Sequence, residues 1–329
     1  MKRFLVIQTA FIGDVILATS VVEKLHQHFP DAQIDFLLRK GNEGLLLNHP
    51  SIKNVFVWDK KHNKIKNLFS IVKQIRAVKY DYAINLHRFA SSGIIVSFSG
   101  AKNKIGFDKN PLSFLFTKKI KHEIAYNKHE VERNQQLIEH ITDKYFSKPK
   151  LYPSAQNVEA VKLYKNSSYV CIAPTSVWFT KQFSKEKWIE LCNQLPENLI
   201  VYLLGAPSDS EACEYIKSNS INSKIKIINL AGKLNFLESA ALMRDATMNY
   251  VNDSAPMHIA SAMNAHTTSI FCSTIPSFGF WPLADNAKIV ETKIKLNCRP
   301  CGLHGHKACP LGDFKCSNSI EISDVLALK

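Results

Sequence analysis

Two kinds of apolar run alternate along this chain from its first residues. Phe4-Leu5-Val6-Ile7-Gln8 is short and continuous, as a strand covered on both faces must be. Asp14–Phe29 then repeats its apolar residues at helical spacing. QIDFLL, a short helix candidate at Glu43–Asn48, NVFVW, the amphipathic NLFSIVKQIRAVK and YDYAINL continue the series. Strands separated by helices pair in parallel, because each crossover returns the chain to the same sheet edge. The chain is therefore read as α/β with parallel sheets.

The series restarts. Asn127–Tyr145, containing HEVERNQQLIEHI, reads as a helix, and Lys148–Asn157, with Pro149 and Pro153, as a linker. After it come strands YVCIAP, NLIVYLLG, KIINLAG, TMNYVND and TTSIFC, interleaved with helices KEKWIELCNQL, SDSEACEYIKSN, NFLESAALMRDA and APMHIASAM; SIEISDVLAL reads as a closing helix. A length of 329 residues also exceeds one ordinary core. We expect two Rossmann-like domains, residues 1–155 and 156–329, facing each other across a central cleft. Ligands of open α/β sheets bind at the carboxyl ends of the strands.

Charge separates the halves. Up to residue 155 there are 25 Lys and Arg against 13 Asp and Glu, a net of +12; beyond it there are 17 against 15. Such a basic first half suits an acidic or phosphorylated partner, or reflects a lysine-rich surface. No apolar run is long enough to span a bilayer. The opening Met1-Lys2-Arg3 precedes too short an apolar run for a signal peptide. The expected location is cytoplasmic.

Three stretches carry candidate chemistry. In QTAFIGDVILATS, Gly13 allows tight backbone geometry and Asp14 stands where strand gives way to helix; it is either a helix cap or a base facing the cleft. No G-x-G-x-x-G follows the first strand, against a dinucleotide site there. In VNDSAPMHIASAM, Asp253 and Ser254 precede Pro256, which suits a first helical turn, and the helix start at Ser254–Met257 offers backbone N–H groups to an anion. Asp253 is expected to hold backbone amides or a sugar hydroxyl rather than phosphate, and His258 lies within the first turn or simply packs. In APTSVWFTKQFSKEKW, Thr175, Ser176 and Lys181 follow a strand; they suit a diphosphate clamp, or Lys181 is a loop lysine in water, which this stretch alone favours.

Taken together these stretches resemble the bacterial ADP-heptose:lipopolysaccharide heptosyltransferases, glycosyltransferase family 9. The resemblance runs in order from QTAFIGDVILATSVVEKLHQHFPDAQIDFL through HEVERNQQLIEHI, APTSVWFTK, INLAGKLNFLESAALMRDA and NDSAPMHIASAMNAHTTSIFCSTIP to FGFWPL. The tail CRPCGLHGHKACPLGDFKC resembles the branch that adds the second heptose.

The resemblance implies a GT-B architecture with a closing C-terminal helix, acceptor in the first domain and donor in the second. It implies inverting transfer from ADP-heptose to the phosphorylated, lipid-linked inner-core oligosaccharide of lipopolysaccharide, at the cytoplasmic face of the inner membrane. Asp14 matches the family's catalytic Asp. Thr175, Ser176 and Lys181, with Asp253, Ser254, Ala255 and His258, match the donor motifs, Ala255 standing where Gly is usual. No D-x-D motif is present, so no cofactor or metal is expected in the reaction. Gly13, Arg88, Ser91 and Ser92, near the ends of the first and fourth strands, are candidate acceptor contacts. Lys60, Lys61, Lys64 and Lys66 either touch anionic headgroups or form a solvated loop.

Eight cysteines remain to be placed. Cys171, Cys192, Cys213 and Cys272 read as reduced core residues. Cys298, Cys301, Cys309 and Cys316 form a C-x-x-C followed by a looser pair; they are reduced thiols of a loop-rich tail, or ligands of a structural zinc with His304 and His306 in reserve. Three further functions stay open: the same family with another glycan or protein acceptor, a sugar-nucleotide sensor, and a basic nucleic-acid-binding protein, which the absence of any finger, helix-turn-helix or RNP pattern disfavours. A sugar-nucleotide sensor would keep Lys181 and the Ser254 loop and have no use for Asp14.

Overall fold

The computed structural model describes residues 1–124, 127–221 and 224–326. The chain divides into two compact units, Met1–Tyr152 and Pro153–Lys329.

The first unit is built on β1 (Arg3–Ile7), α1 (Ile12–His28), β2 (Gln33–Arg39), β3 (Asn54–Trp58), α2 (Lys64–Val78), β4 (Tyr82–Asn85), α3 (Ala90–Phe98), β5 (Asn103–Phe107), β6 (Lys118–Ile120) and α4 (Glu130–Gln136). Its strands form one parallel sheet in the order β3-β2-β1-β4-β5-β6. Leu5 and Ile7 of β1 turn into a core with Leu37, Trp58, Ile71, Ile75, Ile95 and Val96, so α2 and α3 cover that face. The long helix expected over Asn127–Tyr145 is shorter: α4 ends at Gln136 and a 3-10 turn follows at Glu139–Ile141. Glu43–Leu45 is likewise a single 3-10 turn.

The second unit repeats the plan with α5 (Ala155–Ala160), β7 (Tyr169–Ala173), α6 (Lys185–Gln194), β8 (Ile200–Leu203), α7 (Ser210–Asn219), β9 (Lys226–Asn229), α8 (Phe236–Arg244), β10 (Met248–Asn252), α9 (Ala255–Ala262), β11 (Thr267–Phe271) and β12 (Ala287–Glu291). The order is β12-β11-β10-β7-β8-β9, again all parallel. Counted from the first strand of each unit, both sheets run 3-2-1-4-5-6, the order of a dinucleotide-binding Rossmann fold. The two Rossmann-like domains expected of a GT-B chain are present.

Two short helices finish the chain, α10 (Lys315–Asn318) and α11 (Ile322–Val325). Ile320, Ile322 and Val325 pack with Trp188 and Leu191 in the core of the second unit. The expected closing helix is thus one turn within the described residues, and its last residues, 327–329, lie outside them.

In a 3-2-1-4-5-6 sheet the connections leave in opposite directions after the first and fourth strands, which opens a crevice above their carboxyl ends. In the first unit those ends are Ile7 and Asn85; in the second they are Ala173 and Asn252.

Candidate active site

Each sequence candidate follows one of those four strand ends. Gly13 and Asp14 follow β1; Arg88, Ser91 and Ser92 follow β4. Thr175, Ser176 and Lys181 follow β7; Asp253, Ser254, Ala255 and His258 follow β10.

Asp14 is the third residue of α1, and its Oδ2 accepts the Phe11 backbone N–H at 3.1 Å. It therefore does cap the helix start. It also sits in an environment that disfavours its charge. Burial first, and then the negative Glu130, push its carboxyl up to about 6, against the opposing pull of the Phe11 N–H and Arg88. Glu130 is nearly buried and paired with Arg133 at 2.7 Å. Gly13 has no left-handed φ; it is an ordinary residue of the first helical turn, so the tight geometry expected there is not what it supplies.

The loops after β1, β3 and β4 bring basic residues together. Lys60, just past β3, donates to the Thr9 carbonyl at 2.7 Å and its hydroxyl at 3.0 Å, and lies 4.8 Å from the Trp58 ring centroid. Burial, with Arg39 and Lys64 nearby, pulls its ammonium down to about 8. His87, past β4, meets the Thr9 hydroxyl at 3.1 Å. Burial, then Lys60 and Arg88, hold His87 down at about 3, so it is neutral at pH 7. Arg88 is exposed, with Nη1 3.5 Å from His122. Ser91 is half-buried, but Ser92 is fully buried and donates to the His87 and Phe89 carbonyls, both at 2.9 Å. Ser92 shapes the β4–α3 turn and is not free to meet an acceptor. The sequence reading overlooked His87 and Glu130 because each counts only through neighbours distant in the chain.

In the second unit Lys181 ends a 3-10 turn, Phe179–Lys181. Its Nζ lies 2.6 Å from Asp253 Oδ2, and the Thr274 hydroxyl donates to the same oxygen at 2.6 Å. Asp253 was expected to hold backbone amides or a sugar hydroxyl; instead its carboxylate orients the Lys181 ammonium, because β7 and β10 are neighbours and both loops leave the same crevice. An ammonium has three N–H donors, so the pair leaves Lys181 able to bind an anion as well.

The rest of this loop is bolted down. Asn252, fully buried at the end of β10, accepts the Phe183 N–H at 2.8 Å and donates to the Pro174 carbonyl at 2.9 Å, holding both ends of the Pro174–Phe183 loop. Thr180 and His306 exchange bonds, Thr180 N–H to the His306 carbonyl at 3.1 Å and His306 N–H to the Thr180 hydroxyl at 2.7 Å. The cysteine-rich segment thus braces the turn that carries Lys181. Gly305 makes this approach possible. Its φ is +77°, and a Cβ there would stand 2.8 Å from Thr180 Oγ1.

Ser254 stands at the N-cap position of α9 in extended conformation with no side-chain cap bond, its hydroxyl turned to the Asn252 carbonyl, and Ala255 is the first residue of the helix. Pro256 has no N–H, and the Met257 N–H bonds the Ser254 carbonyl at 3.1 Å. The anion donors expected over Ser254–Met257 therefore narrow toward Ser254 and Ala255. His258 is buried with an unpartnered Nδ1, and burial holds its pKa down at about 4. Thr175 and Ser176 are half-buried beside this turn.

Cys298 is exposed, Cys301 and Cys309 half-buried and Cys316 buried, all as free thiols. Burial first, and then the charges of Cys301, Cys309 and Cys298, push the Cys316 thiol up to about 12. Among the described residues, no group of three or more His, Cys, Asp or Glu side chains is placed to hold a metal ion.

Residues 68–310 match the family model for glycosyltransferase family 9 (heptosyltransferase). The chain belongs to this family. It is 31% identical over 289 residues, 83% of each chain, to lipopolysaccharide heptosyltransferase 3 of Escherichia coli K12. A family 9 glycosyltransferase from Veillonella parvula shares the fold at TM-score 0.80 and 22% identity, covering 88% of this chain and 86% of that one. The E. coli ADP-heptose lipopolysaccharide heptosyltransferase II does so at TM-score 0.77 and 21% identity, covering 92% and 96%. This family 9 chain is a glycosyltransferase, and its relatives are lipopolysaccharide heptosyltransferases.

Proposed function

We propose that this protein moves heptose from ADP-heptose to a hydroxyl of the inner-core oligosaccharide of lipopolysaccharide, with inversion at the anomeric carbon. The first unit takes the acceptor and the second the donor. The observation that carries this reading is that each unit holds matching chemistry beyond equivalent strand ends: Asp14, a carboxylate in a setting that disfavours its charge, after β1, and the Lys181 ammonium held by Asp253 after β7 and β10. The relatives' names supply the sugar.

Asp14 accepts the acceptor's hydroxyl proton while that oxygen bonds to the anomeric carbon. The bond from that carbon to the diphosphate oxygen breaks in the same displacement. ADP departs with added negative charge, which Lys181, the hydroxyls of Thr175 and Ser176, and the backbone N–H groups at Ser254 and Ala255 stabilise. Asp253 keeps the Lys181 ammonium aimed, and neutral His258 adds no charge to oppose it. The Ala255 methyl narrows the approach to the phosphates. These residues need no divalent ion to perform the steps, and metal-independent transfer is part of the proposal. Arg88 and Lys60 suit a phosphorylated acceptor. A lipid-linked acceptor places the protein at the cytoplasmic face of the inner membrane, and the cysteine tail's likeness favours addition of the second heptose.

Calorimetric titration with ADP, UDP and GDP after EDTA treatment tests the donor site. We expect selective ADP binding that Lys181→Ala weakens about tenfold or more, the worth of one charge-assisted contact. Binding of UDP or GDP in preference to ADP would overturn the donor, and unchanged affinity in Lys181→Ala would remove that residue from the clamp.

A further inference from the structure

From Lys60 to Tyr80 the chain carries seven Lys or Arg and no Asp or Glu. The acids that bracket this stretch, Asp59 and Asp81, are paired with Lys40 and Lys102. Most of it is α2. Leu68, Ile71 and Ile75 turn into the core of the first unit. Ile65 and Phe69 do not: they are 70% and 66% exposed. Four residues apart on a helix, they share one face. Lys61, Lys64, Lys66 and Lys73 are exposed around them.

Apolar side chains in water beside a ring of ammonium groups need a partner that is apolar and anionic together. A nucleic acid would satisfy the lysines and leave Ile65 without a gain. A second copy of this chain would cover Ile65 and Phe69 while bringing two like-charged faces into contact. An anionic bilayer satisfies both, its acyl boundary taking the apolar residues and its headgroups the cations.

We propose that α2 is a membrane-docking surface, with Ile65 and Phe69 inserted at the acyl boundary of an anionic bilayer and Lys61, Lys64, Lys66 and Lys73 on headgroup phosphates. It rests on the proposed lipid-linked acceptor for its purpose alone, because docking is read without nucleotide or sugar.

The test is co-sedimentation of the full chain with vesicles of phosphatidylcholine alone and of phosphatidylcholine mixed with phosphatidylglycerol. We expect binding to the mixed vesicles only, weakened by salt. Lys66→Glu with Lys73→Glu should reduce it about twentyfold or more, at roughly fivefold per lost cation. Ile65→Ser with Phe69→Ser should reduce it at least tenfold. Ile221→Ser, at an 86% exposed position of the second unit, is the control and should change nothing. All these residues are exposed, so circular dichroism and ADP affinity should stay as in the parent chain; that separates failure of docking from failure of the donor site. Equal binding to both vesicles, or full binding by the Ile65 and Phe69 variant, would overturn the proposal. So would duplex DNA binding without vesicle binding, or a dimer that the same variant dissolves.

Discussion

Two demands meet on the Asp14 carboxylate. As a helix cap it satisfies the Phe11 N–H. As the proposed base it must be charged in a place that resists charge. A folded-state pKa raised to about 6 from an ordinary 3.8 means the folded protein holds a proton that the unfolded chain releases. The carboxylate therefore costs nothing below pH 4, costs progressively more from pH 4 to 6, and costs its full amount above that. Asp14→Asn should raise stability by about 1–2 kcal/mol at pH 7 and by nothing at pH 4. Urea melts at the two pH values check it, and a mutant no more stable at pH 7 would contradict the burial argument. The same balance predicts a pH–rate profile with an acid limb near 6, rising further in Arg88→Gln because that cation favours the charged form. The sequence displayed Asp14, Lys181 and Asp253 as candidates by type and place. It did not display that Asp253 holds Lys181, since the two are brought together only by the pairing of β7 with β10.

Among elements, nine of the twelve strands were legible, including mixed ones such as QIDFLL and KIINLAG. β5, β6 and β12 (NKIGF, KKI and AKIVE) escaped the reading; each offers few apolar residues among Lys, Glu or Gly. β6 and β12 are sheet edges, where charge guards against stray pairing. The helix α3 was missed because ASSGIIVSF opens with three small or hydroxylic residues and a glycine. Asn252 is the element-scale finding with most consequence, since one amide ties β10 to both ends of the Pro174–Phe183 loop. Asn252→Ala leaves the buried Phe183 N–H without its partner and removes one of two donors from the Pro174 carbonyl, which the Trp188 indole N–H still meets at 3.2 Å. It should cost about 1–3 kcal/mol in a denaturant melt and weaken ADP binding about tenfold, the second because Lys181 loses its fixed turn. Lost stability with unchanged ADP affinity would show that the loop orders itself on the nucleotide.

At the scale of the whole molecule the chain repeats one idea twice. Two sheets of the same strand order each present their candidate residues after the first and fourth strands, and the alternation of apolar runs in the sequence carries the same repeat. What the alternation did not carry was strand order, which depends on which crossovers reverse. The charge imbalance also found a place: seven of the first unit's cations lie between Lys60 and Tyr80, in and beside α2. The central claim is transfer of heptose with Asp14 as base. The most direct measurement mixes EDTA-treated protein with ADP-heptose and an inner-core acceptor lacking the last heptose, and follows product mass against time for the parent chain and Asp14→Asn. The account predicts a product heavier by one heptose, with the mutant slowed roughly 10²–10⁴-fold while it still binds ADP. Equal rates in the two proteins would make Asp14 a helix cap only and contradict the account.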